Sequence, residues 1–206
     1  MPKKIKTPKK TIKHLEGAGV KHDILEHKTV YTAIDAANTM KKKMDQVAKS
    51  LLVKADKDYF VVILPADHNL DLDKLKKVVG KEHGKEIKVV KIPGEKLARE
   101  VLKVKNDAMA AFGSLYKVPV IMEKKLEKVK KAVFSSDSFN HSIEMAVKDF
   151  VKLEQVALGS FGVKKKIKAA PKKKVAKKAT KKKATKKKAA KKVAKKTVAK
   201  KATKKK

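Results

Sequence analysis

One lysine interrupts an otherwise apolar pattern in a segment rich in aliphatic residues. Alternate residues of a β-strand share a face, and one face here holds Val47, Lys49, Leu51, Val53 and Ala55. Burial of an unpaired ammonium is unfavourable, so a lysine on such a face is normally paired or functional. Lys49 is therefore either a cation that takes part in chemistry or a side chain at the strand's entry whose ammonium extends to water.

Other reactive side chains do not form a recognisable motif. The chain has no cysteine, and its six histidines show no metal-ligand spacing, so we predict neither a metal site nor a cofactor. Ser50 follows the lysine but has no histidine–acid partnership in the sequence, so we do not expect it to be a nucleophile. Glycine-rich nucleotide-binding motifs are also absent.

The elements that must position these residues alternate irregularly. Residues 46–65 form the clearest hairpin, with two apolar runs around a polar turn at 56–58. Thr32 is the predicted cap of a helix that reaches residue 40. Further helices are predicted at 8–17, 70–79, 95–103 and 148–153, and further strands at 20–27, 85–92, 118–122, 131–134 and 141–145. Strict βαβ order is missing, so the prediction is an α+β fold around a mixed sheet.

The charge is concentrated at the C-terminal end. Residues 164–206 contain 24 of the 57 basic residues and no acid, which leaves 33 basic residues against 21 acids in residues 1–163. The segment VAKKATKKK occurs twice, at 175–183 and 198–206. We predict a globular domain over 1–163 and a disordered tail over 164–206, because dense lysines repel one another and no apolar face exists to bury.

Such a tail is expected to bind DNA or RNA phosphates without sequence preference, since it lacks arginine and aromatic residues. The lysines that represent this expectation are Lys172, Lys173, Lys174, Lys181, Lys182 and Lys183. No run approaches the ~20 apolar residues of a membrane span, and the N-terminus lacks the apolar core of a signal peptide. The expected location is cytoplasmic, with a nucleoid location, or a nuclear one directed by residues 171–178, as alternatives.

Several spaced blocks together resemble one family. They read HKTVYTAIDAANTM (27–40), QVAKSLLVKAD (46–56), FVVILPADHNLDLDKL (60–75), FGSLYKVPVIMEKKL (112–126) and VFSSDSFNHSIEMAVKDFVKL (133–153). In this order they resemble the YbaK-type aminoacyl-tRNA deacylases, also called tRNA synthetase-associated editing domains. The resemblance covers residues 27–153, which is most of the predicted domain.

This resemblance implies a mixed, barrel-like sheet with flanking helices and a reaction that hydrolyses the ester of mischarged aminoacyl-tRNA without a metal. Lys49 matches the family's functional strand lysine, which would hold a terminal phosphate or polarise the carbonyl as negative charge develops. The substrate-binding candidates that follow are Tyr31, Ser50, Asp107, Ala108, Met109, Ala111, Gly113, Ser138 and His141. For Tyr31 a packing role is equally open, and Gly113 is most simply a turn glycine.

Two features of the sequence depart from the family pattern. A Gly-x-x-x-Pro loop, whose amides are thought to hold the substrate carbonyl, is replaced here by a segment that begins with Asp107 and ends with Ala111. A family histidine is replaced by Phe139, while His141 lies two residues further along on the same side of a strand. These changes leave three outcomes open: a different substrate, a weakened enzyme, or a domain that only binds tRNA.

The sequence therefore supports two hypotheses. The first is an enzyme that acts in trans on mischarged aminoacyl-tRNA with Lys49 at its centre. The second is a nucleic-acid-binding protein, associated with tRNA or DNA, that keeps the scaffold without catalysis. The amino acid, the tRNA and the oligomeric state are not predicted.

Overall fold

The computed structural model of the chain describes residues 7–104 and 108–165. Within these residues the helices are α1 (Lys9–Gly17), α2 (Ala33–Thr39), α3 (Leu72–His83), α4 (Glu95–Leu102), α5 (Lys124–Glu127) and α6 (Val147–Glu154). The strands are β1 (His22–Glu26), β2 (Ala48–Ala55), β3 (Asp58–Pro65), β4 (His68–Leu70), β5 (Val90–Lys91), β6 (Val120–Glu123), β7 (Lys131–Ser135), β8 (His141–Ala146), β9 (Ala157–Gly159) and β10 (Gly162–Lys164). In this part of the chain, no helix has the length and apolar character needed to cross a membrane.

The α+β class and the mixed sheet are confirmed. A five-stranded sheet has the order β5-β2-β3-β6-β9, in which β3–β6 and β6–β9 are parallel and the other pairs antiparallel. A second, antiparallel sheet has the order β1-β8-β7, and β10 pairs with β4. The strands of the described residues thus form three sheets and do not close into one barrel.

Local signals predicted the hairpin and the Thr32 cap correctly, whereas the helix expected at 70–79 begins at Leu72 and continues to His83. Strands β2 and β3 pair along their whole length, and Asp56 in the turn adopts a φ of 51°. The Thr32 hydroxyl accepts the Asp35 N–H at the start of α2, and Asp71 caps α3 in the same way. These elements follow from residues close together in the sequence.

The predicted strand at residues 85–92 is shorter than expected. Only Val90–Lys91 pairs with β2. The Asp56 carboxylate accepts the N–H groups of Lys88 and Val89, and these hydrogen bonds lower the pKa of Asp56. A side chain therefore satisfies the two donors that a longer strand would have paired, and the ladder begins only at Val90.

The central strand β3 is buried on both faces. Val61 and Ile63 belong to a cluster that includes Phe112, Phe134 and Phe150, whereas Val62 and Leu64 pack in a second cluster with Leu75 and Val79 of α3 on the opposite side. A strand that is covered on both sides shows a continuous apolar run. The run at residues 60–64 reflects this position.

The short elements β4, β9, β10 and α5 were not predicted. Helix α5 and strand β10 meet at Glu123, which directly precedes α5. Its fully buried carboxylate accepts the N–H groups of Phe161 and of Gly162, the first residue of β10. Strand β10 ends at Lys164, and the Lys165 N–H donates to the Asp67 carbonyl at 2.7 Å. The described fold thus extends two residues beyond the predicted domain end at 163.

Candidate active site

A cavity of about 330 Å³ opens between the start of β2, the β1–α2 connection and the β7–β8 turn. Seven of the predicted site residues line it, namely Tyr31, Lys49, Ser50, Ala108, Met109, Ser138 and His141. They come from segments more than 100 residues apart in the sequence. The volume lies at the lower end of the range typical of small-molecule sites, which suits a group the size of an amino acid.

Lys49 is half-buried at the edge of this cavity. Its Nζ donates to the carbonyl oxygen of His68 at 3.0 Å, and among the described residues it forms no ion pair with a carboxylate. Burial lowers the pKa of Lys49, and the positive charge of Lys165 lowers it further. The ammonium is therefore held in place while its charge remains uncompensated.

A hydrogen-bonded chain supports the carbonyl that holds Lys49. The buried His68 ring contacts the Asp67 carboxylate through Nδ1 at 2.7 Å and the Lys125 ammonium through Nε2 at 3.2 Å. An ammonium can only donate, so Nε2 accepts from Lys125 and the Nδ1–H donates to Asp67. Lys164 approaches the same carboxylate to 4.0 Å. One carboxylate thus faces several lysines, and the local charge is positive.

The serines of the cavity pair with one another or with histidine. Ser50 Oγ lies 2.9 Å from Ser135 Oγ and has no histidine or carboxylate partner among the described residues. The sequence assigned Ser50 to the strand face opposite Lys49, yet both residues line the cavity at the start of β2. Ser50 therefore lacks the base that would make it a nucleophile.

His141 is 96% buried and has one occupied ring nitrogen. Its Nδ1 lies 3.1 Å from Ser138 Oγ, which also accepts the Asn140 N–H at 3.2 Å. Because the serine oxygen already accepts this hydrogen, its own hydroxyl is suited to donate to Nδ1. With this orientation the ring hydrogen of His141 is on Nε2, which has no hydrogen-bond partner within residues 7–104 and 108–165. His141 can offer an N–H donor to a bound ligand.

The segment that replaces the family's glycine loop lies partly at the cavity. Ala108 and Met109 line it, and neither N–H has a partner among the described residues. The Ala110 N–H donates to Tyr116 Oη at 2.9 Å and the Ala111 N–H to the Ser135 carbonyl at 2.9 Å, so both amides are already used. Within the described residues, the Ala108 and Met109 N–H groups are therefore the two in this segment that remain open to a ligand.

Two of the predicted substrate-binding residues do not line the cavity, and one lies outside the described residues. Ala111 is fully buried behind it. Gly113 is packed against the chain, since a Cβ there would lie 2.2 Å from the Val118 carbonyl oxygen. Asp107 is outside the described residues, as are the tail lysines Lys172, Lys173, Lys174, Lys181, Lys182 and Lys183.

Sequence reasoning missed several residues of the cavity. His27 reaches Ser142 Oγ through Nε2 at 2.9 Å, across the β1–β8 pair. Phe139, which the sequence marked only as a replacement for a family histidine, also lines the cavity. Its ring centroid lies 5.1 Å from that of Tyr31. The alternation in β8 could have placed Ser142 on a strand, but no local signal pairs that strand with β1.

Comparisons with known proteins agree with this architecture. A family model for the aminoacyl-tRNA editing domain matches residues 27–153, and no curated protein matches the chain. A candidate trans-editing enzyme for prolyl-tRNA synthetase is 17% identical, with a TM-score of 0.65 over 76% of this chain and 96% of that protein. The hypothetical protein APE2540 is 16% identical, with a TM-score of 0.66 over 75% of this chain and 99% of its own. These identities establish a shared fold alone, whereas the family match spans more than half of the sequence: the chain belongs to the aminoacyl-tRNA editing domain family.

Proposed function

We propose that this chain hydrolyses the ester bond of mischarged aminoacyl-tRNA in trans, with Lys49 as the catalytic residue. The observation that carries the proposal is a half-buried ammonium at a cavity edge, with a lowered pKa and no carboxylate partner among the described residues. A cation in that state is available to a negative charge that develops on a ligand. Membership of the editing family supplies the substrate class.

The proposed reaction needs a place for charge and a path for one proton. A water oxygen bonds to the ester carbonyl carbon, the carbonyl oxygen becomes negative, and the bond to the ribose oxygen then breaks. The proton from the water ends on that ribose oxygen. Lys49 and the N–H groups of Ala108 and Met109 stabilise the oxyanion, and His141 donates a hydrogen bond to the bound ester.

The competing function is nucleic-acid binding without catalysis. The lysine content of residues 164–206 favours it, because 24 ammonium groups in 43 positions give strong attraction to phosphate. Removal of residues 168–206 is expected to lower affinity for both tRNA and duplex DNA and to flatten the dependence of binding on salt. Unchanged affinity after this removal would contradict a binding role for the tail.

The experiment that separates these functions measures amino acid release from a panel of mischarged tRNAs, including alanyl- and cysteinyl-tRNA for proline. Release of one amino acid above the uncatalysed rate by the full chain supports the enzyme and names its substrate. Binding of every tRNA without release would contradict the proposed hydrolysis and favour the binding function.

A further inference from the structure

Two aromatic rings remain accessible at the mouth of the cavity. Tyr31 is 77% exposed, and no other tyrosine or phenylalanine among the described residues is largely exposed. Phe139 is partly exposed, whereas the other five phenylalanines of the chain are buried in the apolar clusters. The centroids of the two rings lie 5.1 Å apart, and the ring planes make an angle of 53°. The chain therefore buries its phenylalanine rings everywhere except at this opening.

The backbone holds these rings in place before any ligand binds. The Val30 N–H donates to the Phe139 carbonyl at 3.0 Å, directly beside Tyr31. The His27 N–H donates to the Asn140 carbonyl at 2.9 Å, and the Asn140 amide donates to Thr29 Oγ1 at 2.8 Å. Three hydrogen bonds thus join the two loops that carry the rings. An arrangement fixed in this way loses little conformational freedom when a ligand binds.

We propose that Tyr31 and Phe139 form a stacking platform for the base of the 3′-terminal nucleotide whose ribose carries the ester. The inference rests on the proposed function, because an ester held at Lys49 leaves the attached base at the mouth of the cavity, which the two rings line. An aromatic face accepts any base by stacking and needs no hydrogen-bond code. Phe139 would then have a binding role at the position where relatives carry histidine.

The direct test uses an RNA whose 3′-terminal adenine is replaced by 2-aminopurine, a base that loses fluorescence when it stacks. The full chain at saturating concentration is expected to quench this RNA, and the variants Tyr31→Leu and Phe139→Leu to quench it much less. Tyr59→Leu is the matched control, since Tyr59 contacts Lys54 and does not line the cavity. Saturation removes any contribution of the lysine-rich tail to affinity.

Kinetics with a mischarged tRNA provide a second readout. Loss of one stacking contact is expected to lower kcat/KM about tenfold in Tyr31→Leu, with recovery in Tyr31→Phe, because the Tyr31 hydroxyl has no partner among the described residues. Equal quenching by wild type and both leucine variants would overturn the platform, even if deacylation is observed. Quenching that depends on both rings, without deacylation of any substrate, would support the platform while contradicting the proposed hydrolysis.

Discussion

Two groups of histidine and serine side chains have similar compositions and opposite roles. The closed group consists of His14, Ser114 and Glu154 and joins α1, α6 and the 3₁₀ helix Gly113–Tyr116. The pocket group consists of His27, Ser138, His141 and Ser142 at the cavity. By residue type alone, the closed group looks more like a hydrolytic site, because it contains a serine, a histidine and an acid.

Geometry reverses that impression. In a catalytic triad the acid orients one ring nitrogen and the serine contacts the other. Here the Nε2 atom of His14 contacts both partners, Ser114 Oγ at 2.9 Å and Glu154 Oε1 at 3.2 Å. The Glu154 side chain is only 1% exposed and also accepts the Ser114 N–H and hydroxyl. Saturation with partners marks a structural group, whereas in the pocket group the Nε2 atom of His141 has no hydrogen-bond partner among the described residues.

The largest effect is expected from breaking the closed group. Glu154→Ala leaves the His14 ring and two Ser114 donors without their acceptor, which should lower the free energy of unfolding by roughly 3 kcal/mol. Chemical denaturation measures this change. Deacylation per folded molecule should remain near wild type, and a selective loss of turnover in a folded variant would show that the closed group is functional.

The pocket group should respond in the opposite way. His141→Asn is expected to lower kcat/KM roughly 10- to 100-fold, because a donor to the bound ester is lost, with a change of about 1 kcal/mol or less in unfolding free energy. His22→Asn is the control, since His22 lies on the neighbouring strand β1 and does not line the cavity. Equal effects of the two substitutions on turnover would remove His141 from the site.

A smaller effect sharpens the contrast between the two serines. Ser114→Ala is expected to lower the free energy of unfolding by about 1 kcal/mol, since a hydrogen bond to a buried carboxylate is lost. Ser138→Ala removes the hydroxyl group that orients His141 and accepts the Asn140 N–H, and it should affect kcat/KM more than stability. Thermal unfolding and deacylation of both variants test the contrast, which fails if the two serines change the same quantity.

The smallest effect concerns pH. If the reaction requires the charged form of Lys49, turnover should fall as pH rises through its lowered pKa, below the usual 10.5. Lys165→Gln removes the neighbouring positive charge, so the pKa of Lys49 rises and the fall should move to higher pH. Rates corrected for spontaneous ester hydrolysis give the two profiles, and a shift to lower pH would contradict the assignment.

The extent to which sequence predicts this molecule depends on how local each signal is. Lys49 was identifiable because one cation on an apolar strand is visible within nine residues, and Thr32 because a cap acts on the next turn. The His27–Ser142 contact spans 115 positions and the His14–Glu154 contact 140. Such contacts depend on how β1 pairs with β8 and how α1 packs on α6, which no nearby residue determines.

The same reasoning explains the partner of Lys49. A backbone carbonyl holds its ammonium, and a carbonyl has no signature in the sequence. The positive surroundings come from Lys125, which reaches the His68 ring from α5, and from Lys165, which follows β10 where that strand pairs with β4. Sequence therefore singled out Lys49 as the candidate but not the environment that lowers its pKa.

The most direct test of the central claim compares single-turnover deacylation by Lys49→Ala and Lys54→Ala in the full chain. Lys54 lies on the same strand, contacts the Tyr59 ring and is absent from the cavity, so it controls for charge and for strand propensity. We predict that Lys49→Ala lowers the rate roughly 100- to 1,000-fold with unchanged thermal unfolding, while Lys54→Ala stays within about twofold of wild type. Retained turnover in a folded Lys49→Ala variant would contradict the account.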